Sequence, residues 1–110
     1  MSREPMRGEV WDVVFPAPIG RHPAVVLSIN RMNSQIGSVA VLLVTGTKGP
    51  PETYISIGPE AGVAMYDESF VNVTDIHSVD KQRARKYRGR LDPPSELTRV
   101  EGLVRTYLGL

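Results

Sequence analysis

Cysteine is absent from the 110-residue chain, which excludes a disulfide framework, a thiol nucleophile and a zinc–thiolate site. Histidine is scarce: His22 and His77 are the two that the chain contains. No apolar run approaches the length needed to cross a bilayer. The opening Met1-Ser2-Arg3-Glu4-Pro5 is polar, with no apolar core of signal-peptide length, so a soluble cytoplasmic protein with no membrane partner is expected. A large excess of charge is also missing. The net charge of +1 speaks neither for nor against a nucleic-acid ligand. At this length the expectation is one domain, residues 1–110, with a small but sufficient core.

What is present is a series of short apolar segments divided by glycine and proline. Val10, Trp11, Val13, Val14 and Phe15 mark Glu9–Phe15 as a strand. Pro16, Pro18 and Gly20 break it, and Ala24–Ile29 reads as a second, buried strand. A polar connection, Asn30–Ser38, leads into the apolar strand Val39–Val44. Further strands are expected at Tyr54–Ile57, Phe70–Thr74 and Arg88–Leu91. The period then changes. Asp92-Pro93-Pro94-Ser95 has the form of an N-cap with proline in the first helical turn. Leu97, Val100, Leu103, Val104, Tyr107 and Leu108 follow at helical spacing. Short strands with Gly/Pro turns and one terminal helix predict a mainly β fold, a small, partly closed barrel with a C-terminal α-helix packed on it.

Chemistry-bearing residues gather at the strand ends. Val39–Val44 runs into Thr45-Gly46-Thr47-Lys48-Gly49, delivering two hydroxyls and an ammonium to one rim of the core. A phosphate loop of the Gly-x4-Gly-Lys-Ser/Thr type is excluded, because the Lys-Gly order is reversed and Gly49-Pro50-Pro51 prevents a following helix. Arg21-His22-Pro23 precedes the second buried strand and joins a phosphate-binding guanidinium to a group that exchanges protons near neutral pH. Asp75-Ile76-His77-Ser78-Val79-Asp80 places the other histidine among acids, without an obvious third ligand for a metal. Lys81, Arg83, Arg85, Lys86, Arg88 and Arg90 put six of the thirteen cations within ten residues. With Tyr87 among them, they form either a solvated face or a track for a nucleic-acid backbone.

The order of these pieces resembles the MazF/PemK (Kid) toxins of prokaryotic toxin–antitoxin pairs over nearly the whole chain. The matching segments are Arg7-Gly8-Glu9-Val10-Trp11, Arg21-His22-Pro23-Ala24-Val25-Val26-Leu27-Ser28, Val44-Thr45-Gly46-Thr47-Lys48-Gly49, Ile76–Arg83 and Gly89-Arg90-Leu91, followed by the terminal helix. The resemblance implies an SH3-like (CcdB/PemK-like) barrel, a homodimer, a sequence-specific endoribonuclease acting on single-stranded RNA, and a cognate antitoxin that blocks the RNA site. Two departures stand out. His22 occupies the slot before the proline where the family usually has arginine, with Arg21 one place earlier. In the Asp-Gln-x-Arg/Lys-Ser/Thr-Ile-Asp segment of the family, this chain has Thr74 for Asp, Asp75 for Gln and His77 for the cation.

Cutting RNA without a metal or cofactor needs a base for the 2′-hydroxyl, an acid for the leaving 5′-oxygen and donors for the phosphate charge. Arg21, His22 and Thr45 are the expected catalytic residues. Thr47, Lys48, Asp75, His77, Arg83 and Arg85 are the expected RNA-binding residues, with Asp75 and His77 also candidates for the complementary proton step. Two alternatives compete: a CcdB-like toxin that binds gyrase, or a non-catalytic SH3-like module. The second needs an aromatic-lined groove, for which the chain offers Trp11, Phe15, Phe70 and four tyrosines.

Overall fold

A computed structural model of the chain describes residues 3–62 and 68–110. Its strands are β1 (Glu9–Val14), β2 (Arg21–Val26), β3 (Ser38–Thr45), β4 (Tyr54–Ile57), β5 (Ser69–Asp80) and β6 (Ala84–Arg90). They form one antiparallel sheet in the order β4-β5-β3-β2-β1-β6. Among the described residues two α-helices accompany it, α1 (Asn30–Gln35) and α2 (Ser95–Leu108), with short 3-10 turns at Pro59–Ala61 and Lys81–Arg83. The mainly β reading with a C-terminal helix therefore holds. No helix among the described residues is long and apolar enough to cross a membrane.

Several boundaries differ from the sequence expectation. β2 begins at Arg21 rather than Ala24, because the hairpin with β1 continues through Val13↔His22 and Val14↔Arg21. It ends at Val26 rather than Ile29: the Asn33 amide takes the Ser28 carbonyl at 2.9 Å, folding Asn30–Gln35 into α1 where an irregular connection was expected. β5 extends well past Thr74 to Asp80 and absorbs the Asp75–Asp80 segment. β6 starts at Ala84, so most of the basic run is strand. At α2 the helix begins at Ser95, and Asp92 does not cap it. Pro94 holds the N-cap position with no side-chain hydrogen bond, and Asp92–Pro93 is a cis peptide.

Both faces of the central strands are buried. Val10, Val25, Leu42, Val44, Ile55, Val71 and Val73 form one cluster with Val100 and Val104 of α2. Trp11, Val13, Phe15, Ala24, Val26, Val39, Val41 and Val79 form another. Adjacent residues such as Val10/Trp11 and Val41/Leu42 belong to different clusters, as alternation along a strand requires. This is why β2 and β3 read as unbroken apolar runs instead of alternating ones.

The sheet curls far enough for its distant parts to meet. Residues 72–75 of β5 stand opposite the single residue Leu43, a bulge that bends the strand. Phe15, just beyond β1, meets the His77 ring of β5 at a centroid distance of 5.0 Å, although β2 and β3 separate those strands. β4 and β6 are opposite edges. Gly62, a few residues after β4, nevertheless lies so near β6 that an added Cβ would sit 1.8 Å from the Arg88 carbonyl oxygen. Gly62 also has φ +73°, a conformation that favours glycine. Gly62→Ala is therefore expected to lower the thermal unfolding midpoint by about 8 °C or more. Gly102→Ala, in mid-α2 with open space at its Cβ, is expected to raise stability by about 0.5–1 kcal/mol. Equal effects from the two substitutions, read by calorimetry, would contradict this closure of the barrel.

Candidate functional site

β2 carries Arg21 and His22 at its first two positions, so alternation sends them to opposite faces. His22 shares a face with Ala24 and Val26 of the Trp11 cluster. Its Nε2 lies 2.7 Å from the Val44 carbonyl oxygen. A carbonyl only accepts, so Nε2 carries the hydrogen in this contact. The β2–β3 register, with Ala24 opposite Leu43, puts His22 level with Thr45 when continued by two residues. The Thr45 hydroxyl accepts from the Thr47 backbone N–H at 3.1 Å. That bond uses a lone pair and leaves the hydroxyl hydrogen to donate.

Arg21 shares the other face with Val25. Its Nε and a terminal nitrogen both lie 3.4 Å from Asp12 Oδ2. Arg88 Nε approaches the other oxygen of the same carboxylate at 3.4 Å, has no hydrogen bond, and is buried. Asp12 thus gathers two guanidiniums at distances longer than strong charge-assisted bonds, about 2.7–2.9 Å. The expectation that Arg21 and His22 aim together does not survive the strand geometry: the Arg21 side chain is directed to Asp12, away from Thr45.

β5 places His77 opposite Val41 on β3. His77 Nε2 is 2.6 Å from Asp75 Oδ1, and the Phe15 ring packs edge-on against the imidazole. Phe15 lies two residues beyond Val13, which is paired with His22. It therefore connects the surroundings of the two histidines on one face. Val41 and Thr45 are four residues apart, so His77 sits roughly 13 Å farther along the sheet than Thr45.

The remaining expected residues divide. Thr47 and Lys48 are exposed at the tip after β3. Lys48 Nζ leans over the Tyr54 ring at 5.6 Å, toward β4, whereas His22 lies on the β2 side. Arg83 donates to the Val14 carbonyl at 3.0 Å, which fastens the end of β1. Arg85 is exposed and lines a cavity of about 540 Å³ together with Arg3 and Lys81. Among the described residues no group of three or more His, Asp or Glu could hold a metal ion.

Sequence reading missed Asp12 and Phe15 as neighbours of the site, and it placed Arg88 in the basic run without its approach to Asp12. Asp12 carried a signal, an acid set between Trp11 and Val13 in the apolar part of β1. The Phe15–His77 contact had none, since it depends on how far the sheet curls.

Comparison with known proteins accounts for this arrangement of elements. Residues 6–108 match the family model described as the PemK-like, MazF-like toxin of type II toxin–antitoxin systems. Endoribonuclease MazF4 of Mycobacterium tuberculosis is 26% identical over 108 residues, covering 96% of this chain and 94% of that protein. A MazE–MazF crystal structure from Deinococcus radiodurans superposes with a TM-score of 0.80 at 26% identity, covering 99% of both chains. A mycobacterial endoribonuclease in complex with its cognate antitoxin gives 0.83 at 24% identity, covering 96% of each chain. With the match extending over nearly its whole length, the chain belongs to the PemK-like, MazF-like toxin family of type II toxin–antitoxin systems.

Proposed function

We propose that this protein is a metal-independent, sequence-specific endoribonuclease that cleaves single-stranded RNA, and the toxin of a toxin–antitoxin pair. The placement of His22 beside Thr45 at the open end of β2 and β3 carries this reading. It joins a proton-transferring ring to a hydroxyl donor at one rim. The family membership and the MazF endoribonucleases among the relatives support it.

In the reaction a base removes the 2′-hydroxyl proton, and the 2′-oxygen forms a bond to phosphorus as the bond to the 5′-oxygen breaks. An acid then protonates the leaving oxygen. The products are a 2′,3′-cyclic phosphate and a 5′-hydroxyl. His22 is assigned to one proton transfer, its ring held at the Val44 carbonyl. Thr45 donates to a non-bridging phosphate oxygen. The His77–Asp75 pair, too far along the sheet for a proton step at the same phosphate, is assigned to reading a base edge. Arg21 contributes positive charge from the neighbouring face. Thr47, Lys48, Arg83 and Arg85 contribute to RNA binding. A homodimer, an antitoxin partner and action in the cytoplasm complete the proposal; the antitoxin complexes of the structural relatives support the partner.

Incubating purified protein with a long single-stranded RNA in EDTA should give discrete cuts bearing cyclic phosphate and 5′-hydroxyl ends. RNA that stays whole until magnesium is added would overturn the mechanism. His22→Ala should lower the cleavage rate on the order of 10²–10⁴-fold, and Thr45→Val on the order of 10²-fold, with the circular dichroism spectrum retained. Arg21→Ala should cost no more than about 10-fold, because its guanidinium is directed to Asp12. A loss for Arg21→Ala as large as that for His22→Ala would move the phosphate to the Asp12 face.

A further inference from the structure

At the edge of the sheet, a chain of stacked groups ends in a guanidinium exposed to solvent. Trp11, buried on the His22 face, meets Tyr87 of β6 edge-on at a centroid distance of 5.9 Å. The Arg3 guanidinium lies over the Tyr87 ring, 4.0 Å from its centroid. The plane is fixed from the side by Glu9. This carboxylate, 5% exposed, takes a hydrogen bond from Arg3, another from the Met6 backbone at 2.8 Å and a third from Trp11 Nε1 at 3.1 Å. The Glu9 bond, above all, raises the Arg3 pKa, so the group stays cationic. Even so, the Arg3 side chain keeps 54% of its surface exposed.

A fixed, planar cation with an aromatic ring behind it and water in front is suited to stacking on a nucleobase. A helix or a strand would not need it. The surroundings fit an RNA strand. The cavity beside Arg3 is lined by Glu4, Lys81 and Arg85; Lys81 is paired with Glu4 at 3.3 Å, whereas Arg85 has no ion-pair partner among the described residues and is the cation left for a phosphate. The register connects this place to the candidate catalytic rim. Tyr87 pairs with Trp11, Trp11 with Ala24, and Ala24 lies two residues from His22 on the same face. Two strand spacings and two residues of rise put the platform roughly 12 Å from His22, within reach of one RNA strand engaged at both.

We propose that Arg3, stacked on Tyr87 and braced by Glu9, is a base-stacking subsite for an unpaired nucleotide flanking the cleaved bond. This rests on the RNA-cleavage reading above. The competing role is a clasp that only holds residues 3–6 against the sheet.

The test uses the full chain and short RNA strands carrying 2′-O-methyl groups, which block the attacking hydroxyl. Each strand holds the cleavage site and one abasic nucleotide at a successive position. Binding is read by anisotropy and by fluorescence of Trp11, the single tryptophan of the chain. For the wild-type protein one abasic position should weaken binding on the order of 5- to 100-fold. Arg3→Gln should bind the intact strand with that weaker affinity and lose its sensitivity to that position. Tyr87→Phe should keep the sensitivity and Tyr87→Leu should lose it, which settles the matter even where Arg3→Gln does not fold. Undiminished abasic sensitivity in both Arg3→Gln and Tyr87→Leu, or wild-type binding indifferent to every abasic position, would show a clasp only. Failure of the wild type to bind or cut any RNA would instead overturn the ribonuclease reading.

Discussion

Successive side chains of a strand point to opposite faces, and in β1, β2 and β3 both faces are buried. The rest of the molecule depends on this constraint. The interior positions of β2 and β3 are apolar, Pro23–Val26 and Val39–Val44, so their polar chemistry is pushed to their ends. β2 therefore starts with Arg21-His22 and β3 finishes with Thr45. Because the strands run antiparallel, the start of one lies beside the end of the other. The candidate rim is a direct product of that pairing.

The same alternation divides the polar groups that it concentrates. His22 goes to the Trp11 face and meets the last carbonyls of β3, while Arg21 goes to the opposite face and meets Asp12. The exposed Arg21–Asp12 pair is worth little as stability, but it gives the guanidinium a direction. The β5 bulge acts in the opposite sense, bringing groups together. By bending the strand it supports the curl that lets Phe15 reach His77 across β2 and β3. Closure at the far side, where Gly62 meets the Arg88 backbone, holds that curl.

Much of the fold was legible because local signals agreed with the tertiary outcome. The apolar run Val39–Val44 and the helical spacing of Val100 and Val104 each pointed to the element that formed. Boundaries were misread where pairing overrode composition. Arg21 and His22 look like loop residues until the β1 hairpin draws them into β2, and the polar Asp75–Asp80 segment becomes strand because β3 supplies its partners. For the site, nearness in sequence misled: adjacency of Arg21 and His22 suggested joint action, and a strand separates neighbours. The His22–Thr45 approach was reachable through the motif order. Glu9 was not, since its role depends on the Arg3 and Trp11 contacts gathered around it.

The most direct test of the account is a crystal structure of the protein with an uncleavable RNA carrying a 2′-deoxy nucleotide at the cut position. The account predicts the scissile phosphate within hydrogen-bond reach of Thr45 Oγ1, with the His22 imidazole facing the reacting oxygens. A phosphate seated instead between Arg21 and Arg88, on the Asp12 face, would contradict it.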